Sequence, residues 1–168
     1  GVVFGSGVHP TTRGCLQAIS WISKRDTPRS ILDLGTGTGI LSIAGVLLGA
    51  ESALAVDLNP LCVRTTRKNM GYNGCESLIV VKKGEAQDFV GGKADLVIAN
   101  IHYSVIDQLV ETPEFLKRKW LVLSGLMRTQ ARDIKDRVVG SGLLLVREWD
   151  HDMTWHTMVF RHPNFLME

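Results

Sequence analysis

The residues of this sequence best placed to do chemistry begin with the run Asp33-Leu34-Gly35-Thr36-Gly37-Thr38-Gly39. It follows the apolar stretch Ser30–Leu34 and precedes another, Ile40-Leu41-Ser42-Ile43. Glycines at alternate positions let a backbone turn tightly and approach a ligand closely. The spacing is Gly-x-Gly-x-Gly, one residue tighter than the Gly-x-Gly-x-x-Gly that cradles the pyrophosphate of a dinucleotide. Eighteen residues past Gly39, Asp57 closes the next apolar run. A carboxylate there can accept both hydroxyls of a ribose. Its removal is expected to weaken a ligand and leave the fold's stability nearly unchanged.

A glycine run alone could be a plain tight turn; the flanking strand, the helix and the spaced acid give it a ligand. A ribose without a pyrophosphate fits S-adenosylmethionine, whose amino-acid end is uncharged on average, and the pair resembles the cofactor site of class I methyltransferases. The cofactor-binding residues read here are Asp33, Gly35, Thr36, Gly37 and Gly39 in the loop, with Asp57 and Leu58 after the second strand. Gly84-Glu85-Ala86-Gln87 ends the third strand, where Glu85 or Gln87 could bond the exocyclic amine of adenine and Ala86 lie beside it. A solvated loop fits the same four residues.

Ahead of these lies Phe4-Gly5-Ser6-Gly7-Val8-His9-Pro10-Thr11-Thr12-Arg13. By composition it is a capping turn that brings hydroxyls to a helix start, over the carboxyl ends of the strands, where open α/β sheets bind ligands. Asn100 ends the fourth apolar run, which by itself is an ordinary strand-end position. His9, His102 and Tyr103 are candidate proton acceptors or pocket walls. Asp150-His151-Asp152 has the residue types of a metal site but reads better as a solvated turn, so no metal is expected. The tryptophans at 21, 120, 149 and 155 are scattered, and core packing is their default role. No Gly-x-Ser-x-Gly elbow or Cys-His signature argues for covalent catalysis.

Alternating elements must position these groups. The periodicity predicts helices over Thr11–Ser23, Thr38–Leu48, Pro60 to about Gly71, Ser104–Leu116 (disturbed at Pro113) and Arg128–Val139. Strands are predicted over Ser30–Leu34, Ala53–Val56, Leu78–Val81, Ala94–Ala99 and Trp120–Leu123, then Leu143–Trp149 and Thr154–Phe160. That order argues an α/β fold, Rossmann-like, with a seven-stranded mostly parallel sheet and a C-terminal antiparallel strand. No helix separates the last two strands, so Asp150–Met153 must form a hairpin.

At 168 residues the chain fits one domain, residues 1–168. Apolar residues at 45% can fill a core, and a net charge of only +2 gives no bulk reason to expect nucleic-acid binding. No apolar run is long enough to span a membrane. Three scattered cysteines form no CxxC pair, which fits a reducing cytoplasm. The first residue is glycine, so the chain is expected to be a fragment or to lack its beginning.

FGSGVHPTTRGCL resembles the FGTGTHPTT signature of the ribosomal protein L-eleven methyltransferase family. The resemblance continues through ILDLGTGTGILSIAGVLLGA, AVDLNPLCVRTTRKN, DLVIANI and LVLSGLM, in the family's order and spacing. It implies a class I enzyme that methylates protein amines, chiefly lysine side chains and an N-terminal amine, with a protein substrate such as a ribosomal protein. By motif, Thr12, Gly35, Asp57 and Asn100 match cofactor-contacting positions, with Thr12 at the amino-acid end and Asn100 positioning the acceptor. The family's Asn-Ile-Leu-Ala reads Asn100-Ile101-His102-Tyr103 here, and the family's N-terminal recognition domain has no counterpart in this sequence.

Such a transfer is an in-line displacement that needs positioning and desolvation but no metal. The amine must be neutral, and a dry pocket lowers its pKa from the free-lysine value of about 10.4. Two other functions fit the same residues: a methyltransferase of a small molecule or nucleic acid, and a silent cofactor-binding module. The absence of Asn-Pro-Pro-Tyr counts against part of the former, and the intact glycine loop against the latter. Oligomeric state is not legible.

Overall fold

A computed structural model describes residues 5–165; Phe4 of the His-Pro-Thr-Thr stretch lies outside them. Seven strands form one sheet: β1 (Ser30–Leu34), β2 (Ser52–Asp57), β3 (Ile79–Lys83), β4 (Leu96–Asn100), β5 (Trp120–Met127), β6 (Leu144–His151) and β7 (Trp155–Arg161). Their order is β3-β2-β1-β4-β5-β7-β6. The first five are parallel, β7 runs against β5, and β6 runs against β7. Only β7 therefore opposes the common direction.

Alternation along the central strands sends side chains to both faces, as a parallel sheet covered on both sides requires. Ile31, Ala53, Ile79, Ile98 and Val122 join one core, with residues of α1 (Pro10–Ser23), α2 (Ile40–Leu47) and α3 (Pro60–Asn73). Leu32, Val56, Val97, Leu121 and Phe160 join the other, under α4 (Tyr103–Leu109), α5 (Pro113–Leu116) and α6 (Arg128–Gly140).

The helix expected over Ser104–Leu116 is two. Proline disfavours helical backbone in the residue before it, and Thr112 is extended (φ −94°, ψ 112°) where α5 begins. The second helix starts late, after Gly39, which stands in the left-handed region (φ 83°). Strand β5 runs four residues past its expected end, because a bulge at Gly125 shifts the register between Ser124 and Leu126 and pairing with β7 resumes.

The β6–β7 hairpin turns on Asp152 and Met153, both left-handed (φ 54° and 53°), and Thr154 N–H donates to the His151 carbonyl at 3.1 Å. Its aspartates are exposed as expected. His151 is not: its Nε2 is buried without a protein partner, close to Gly14 of α1 and Thr157 Oγ1. No group of metal-ligating side chains occurs among the described residues, and no described helix is long and apolar enough to cross a membrane.

Candidate functional site

Strands β1, β2 and β4 end together, and their carboxyl ends make the floor of a cleft of about 680 Å³, within the range of small-molecule sites. The glycine loop is tied down from three sides. The N–H groups of Gly35 and Thr36 each donate to the Val56 carbonyl at 2.9 Å, binding the loop to β2. From α3, Thr66 Oγ1 donates to the Gly37 carbonyl (3.0 Å) and Asn69 Nδ2 to the Thr38 carbonyl (2.8 Å). Thr38 Oγ1 donates to the Gly5 carbonyl at 2.5 Å, which brings the stretch before α1 onto the same loop.

Gly35 has φ 73°, and a Cβ there would sit 2.1 Å from Ile101 Cγ2, so this close approach admits no side chain. Asp57 accepts the Gly37 N–H on Oδ2 and the Asn59 N–H on Oδ1, both at 2.9 Å. A carboxylate oxygen has two acceptor sites, so each can still take a hydroxyl proton. The acid thus shapes the loop as well as facing the cleft, and the expectation that its loss would spare stability does not follow.

Asp33 is fully buried beneath the loop. Its Oδ2 accepts from Thr36 Oγ1 (2.6 Å) and Ser42 Oγ (2.8 Å), while Oδ1 has no protein partner. Burial raises its pKa above the ordinary carboxylate value, against these two hydroxyl bonds. Asp33 therefore braces the loop against α2 from behind the cleft wall.

Of the residues read from the sequence, Gly35, Gly37, Asp57, Leu58, Glu85, Ala86, Gln87 and Asn100 line the cleft. Asp33, Thr36, Gly39 and Thr12 do not. Thr36 and Thr12 are buried, and the Thr12 hydroxyl has no protein partner. Thr11, the first of the threonine pair, lines the cleft beside His9.

His9 and His102 occupy equivalent posts. Each caps a helix that opens at the cleft, accepting on Nδ1 from the backbone N–H two residues on (3.4 Å in both) and meeting that residue's hydroxyl, Thr11 at 2.8 Å and Ser104 at 3.0 Å. An Nδ1 that accepts leaves the neutral ring's proton on Nε2. Both histidines line the cleft. Tyr103 does not: its hydroxyl donates to Asp133 Oδ2 (3.3 Å), and burial followed by the nearby carboxylates Asp107 and Asp133 raises its pKa.

Sequence reasoning missed Trp155, Gly125, Cys62 and Val105 on the wall. Trp155 departs from the expected core role; its ring meets His9 edge-on at 5.4 Å. Gly125 (φ 81°) sits where a Cβ would come within 3.0 Å of the Ile101 carbonyl and 3.3 Å of Asn100 Oδ1, so the bulge lets Asn100 lie against β5. Cys62 is held above the usual thiol pKa by burial, then by neighbouring Asp57. The missed residues are remote in sequence from the glycine loop. The bulge alone left a trace, Ser124-Gly125 inside an otherwise apolar strand.

Among known proteins, the family profile described as ribosomal protein L11 methyltransferase (PrmA) matches residues 1–163. A ribosomal protein L11 methyltransferase from Alkaliphilus oremlandii is 36% identical over 148 residues, covering 87% of this chain and 47% of the relative. Another, from Citrifermentans bemidjiense, is 34% identical over 172 residues, covering 97% and 54%. The chain thus spans about half the length of the curated relatives it matches. The crystal structure of ribosomal protein L11 methylase from Lactobacillus delbrueckii subsp. bulgaricus superposes with a TM-score of 0.81 at 27% identity, over 96% of this chain and 82% of that one. TrmK from M. capricolum, solved with S-adenosyl-homocysteine, shares the fold with a TM-score of 0.71 at 18% identity, over 87% and 68%.

Proposed function

Because the chain belongs to the ribosomal protein L11 methyltransferase family, we propose that residues 1–168 form one S-adenosylmethionine-dependent methyltransferase domain that acts on an amine of a protein, such as a ribosomal protein. The observation that carries this reading is the Gly35–Gly39 loop held to the Asp57 carboxylate at the floor of the cleft. The residues present fit the cofactor. Asp57 keeps acceptor capacity for two ribose hydroxyls, Leu58, Ala86 and Val105 offer apolar surface for an adenine, and Glu85 can accept from its amine. Gly35 and Gly37 line the same cleft with Asn100 and offer backbone for an amino-acid end to lie against.

Bound there, S-adenosylmethionine supplies a methyl carbon made electrophilic by its sulfonium. The chain's own part is to present a neutral, oriented amine. The Asn100 amide oxygen can accept an amine N–H and so aim the lone pair. His9 and Trp155 bound the cleft near the start of α1 and exclude water, and a poorly hydrated amine loses its proton more readily. Unpaired cysteines and the absence of a membrane-length helix among the described residues support a place in the cytoplasm.

Calorimetry with S-adenosylmethionine, S-adenosylhomocysteine and NAD, followed by transfer of labelled methyl to a ribosomal-protein fraction, tests the reading. Tight binding of the first two and label in a protein band are expected. Tighter binding of NAD would overturn the cofactor, and label confined to RNA or small molecules the acceptor.

A further inference from the structure

We propose that the outer face of α3 and the adjoining edge of β3 form a docking surface for single-stranded RNA. The small net charge of the chain hides an uneven distribution. Residues 60–84 hold Arg64, Arg67, Lys68, Lys82 and Lys83 against the one acid Glu76, a net of +4 in a chain whose total is +2. The remainder is therefore net negative. All five cations are exposed, and none meets a carboxylate among the described residues.

The cations also form a track. Positions 64, 67, 68 and 72 share one face of α3, and Arg64 to Tyr72 covers about 12 Å at 1.5 Å per residue. Arg67 Nη2 reaches the Val81 carbonyl at 3.4 Å, so its head lies against β3. Lys83, on the same side of the strand as Val81, carries the track to the cleft mouth, where Gly84 and Glu85 begin the wall. Tyr72 closes the other end, 74% exposed, with Lys68 Nζ 5.6 Å from its ring centre.

Lysines on an edge strand discourage pairing with another sheet, and β3 is such an edge, paired among the described residues with β2 alone. That role accounts for Lys82 and Lys83. It leaves Arg64, Lys68 and an exposed tyrosine on the helix without one. A row of cations ending in an open aromatic face suits a phosphate backbone whose bases can stack. An acidic peptide would use the charges and ignore the ring. RNA is thus the better match, and the inference stands independently of the methyl-transfer reading.

The test is fluorescence anisotropy of a labelled twelve-nucleotide single-stranded RNA with the whole chain. A Kd of about 1–100 μM is expected at low salt. Three or four phosphate contacts give a log–log salt slope of about −2 to −3, hence a loss of about 15- to 60-fold between 50 and 200 mM. Combining Arg64→Gln, Lys68→Gln and Lys83→Gln should weaken RNA at least about tenfold and leave S-adenosylhomocysteine affinity and the melting temperature unchanged. Tyr72→Ala should cost about fivefold or more. No binding at low salt, or wild-type affinity in the triple variant, overturns the surface. Oligoglutamate bound as tightly as the RNA, with Tyr72→Ala silent, overturns RNA in favour of an acidic protein.

Discussion

The carboxylate of Asp57 and the backbone N–H of Gly37 meet at 2.9 Å, so the acid that faces the cleft also fixes the loop opposite it. Asp57→Ala is therefore expected to do two things. It should lower the stability of the ligand-free protein by about 1–3 kcal/mol, since two N–H groups lose a charged acceptor, and weaken S-adenosylhomocysteine by about 2–4 kcal/mol. Thermal unfolding with and without ligand separates the two effects. An unchanged apo melting temperature would mean that water replaces the carboxylate on the loop.

Asp33 gives a pH signature. Burial raises its pKa, so the folded protein keeps that proton to higher pH than the unfolded chain does. By linkage, its contribution to stability is fully present below the unfolded pKa and lost as pH rises through the raised folded value. Asp33→Asn retains an acceptor oxygen for Thr36 and Ser42 without the charge. In urea titrations between about pH 4 and pH 9, the stability of the variant relative to the parent should climb with pH and then level off. A flat difference would show that the buried carboxylate carries no excess penalty.

Thr12 lies behind the wall with an unpartnered hydroxyl, whereas Thr11 faces the cleft. Thr12→Val removes a buried polar group at constant shape, so the apo protein should gain about 1 kcal/mol. If the hydroxyl serves the cofactor's amino-acid end, the same change should weaken S-adenosylhomocysteine by about 1–2 kcal/mol. Equal affinity of variant and parent would reduce the His-Pro-Thr-Thr stretch to a helix cap at that position.

The cysteines report ligand position. Cys15 is fully buried with its pKa pushed up to about 12, and Cys75 is buried away from the cleft wall; Cys62 lines the wall beside Asp57. Iodoacetamide labelling followed by mass spectrometry should show S-adenosylhomocysteine slowing Cys62 and leaving the other two unchanged. An unprotected Cys62 would place the ligand elsewhere.

The glycine loop, Asp57 and the end of β4 were legible because each follows a short apolar run, and a parallel sheet brings the carboxyl ends of β1, β2 and β4 together. The hairpin was legible too, from two apolar runs with no helix between them. Thr11 and Thr12 were not distinguishable, since which of two adjacent helix residues faces a cleft depends on how α1 is rotated against β5 and β7. Trp155 was invisible for a different reason: its meeting with His9 joins residues far apart in the sequence. The split of the fourth predicted helix follows from Pro113, whose effect on Thr112 is local in sequence.

The place of β7 between β5 and β6 has a bearing on biosynthesis. A chain emerging from the ribosome exposes the β5 edge after about residue 127, and β6 has no sheet neighbour until β7 has been made and inserted. His9 and Thr11 emerge well before the aromatic wall opposite them, which arrives with residue 155. The nascent protein thus holds its glycine loop long before its cleft is closed on that side. Completion of the cleft waits on β7, and the threading of that one strand finishes both the sheet and the site.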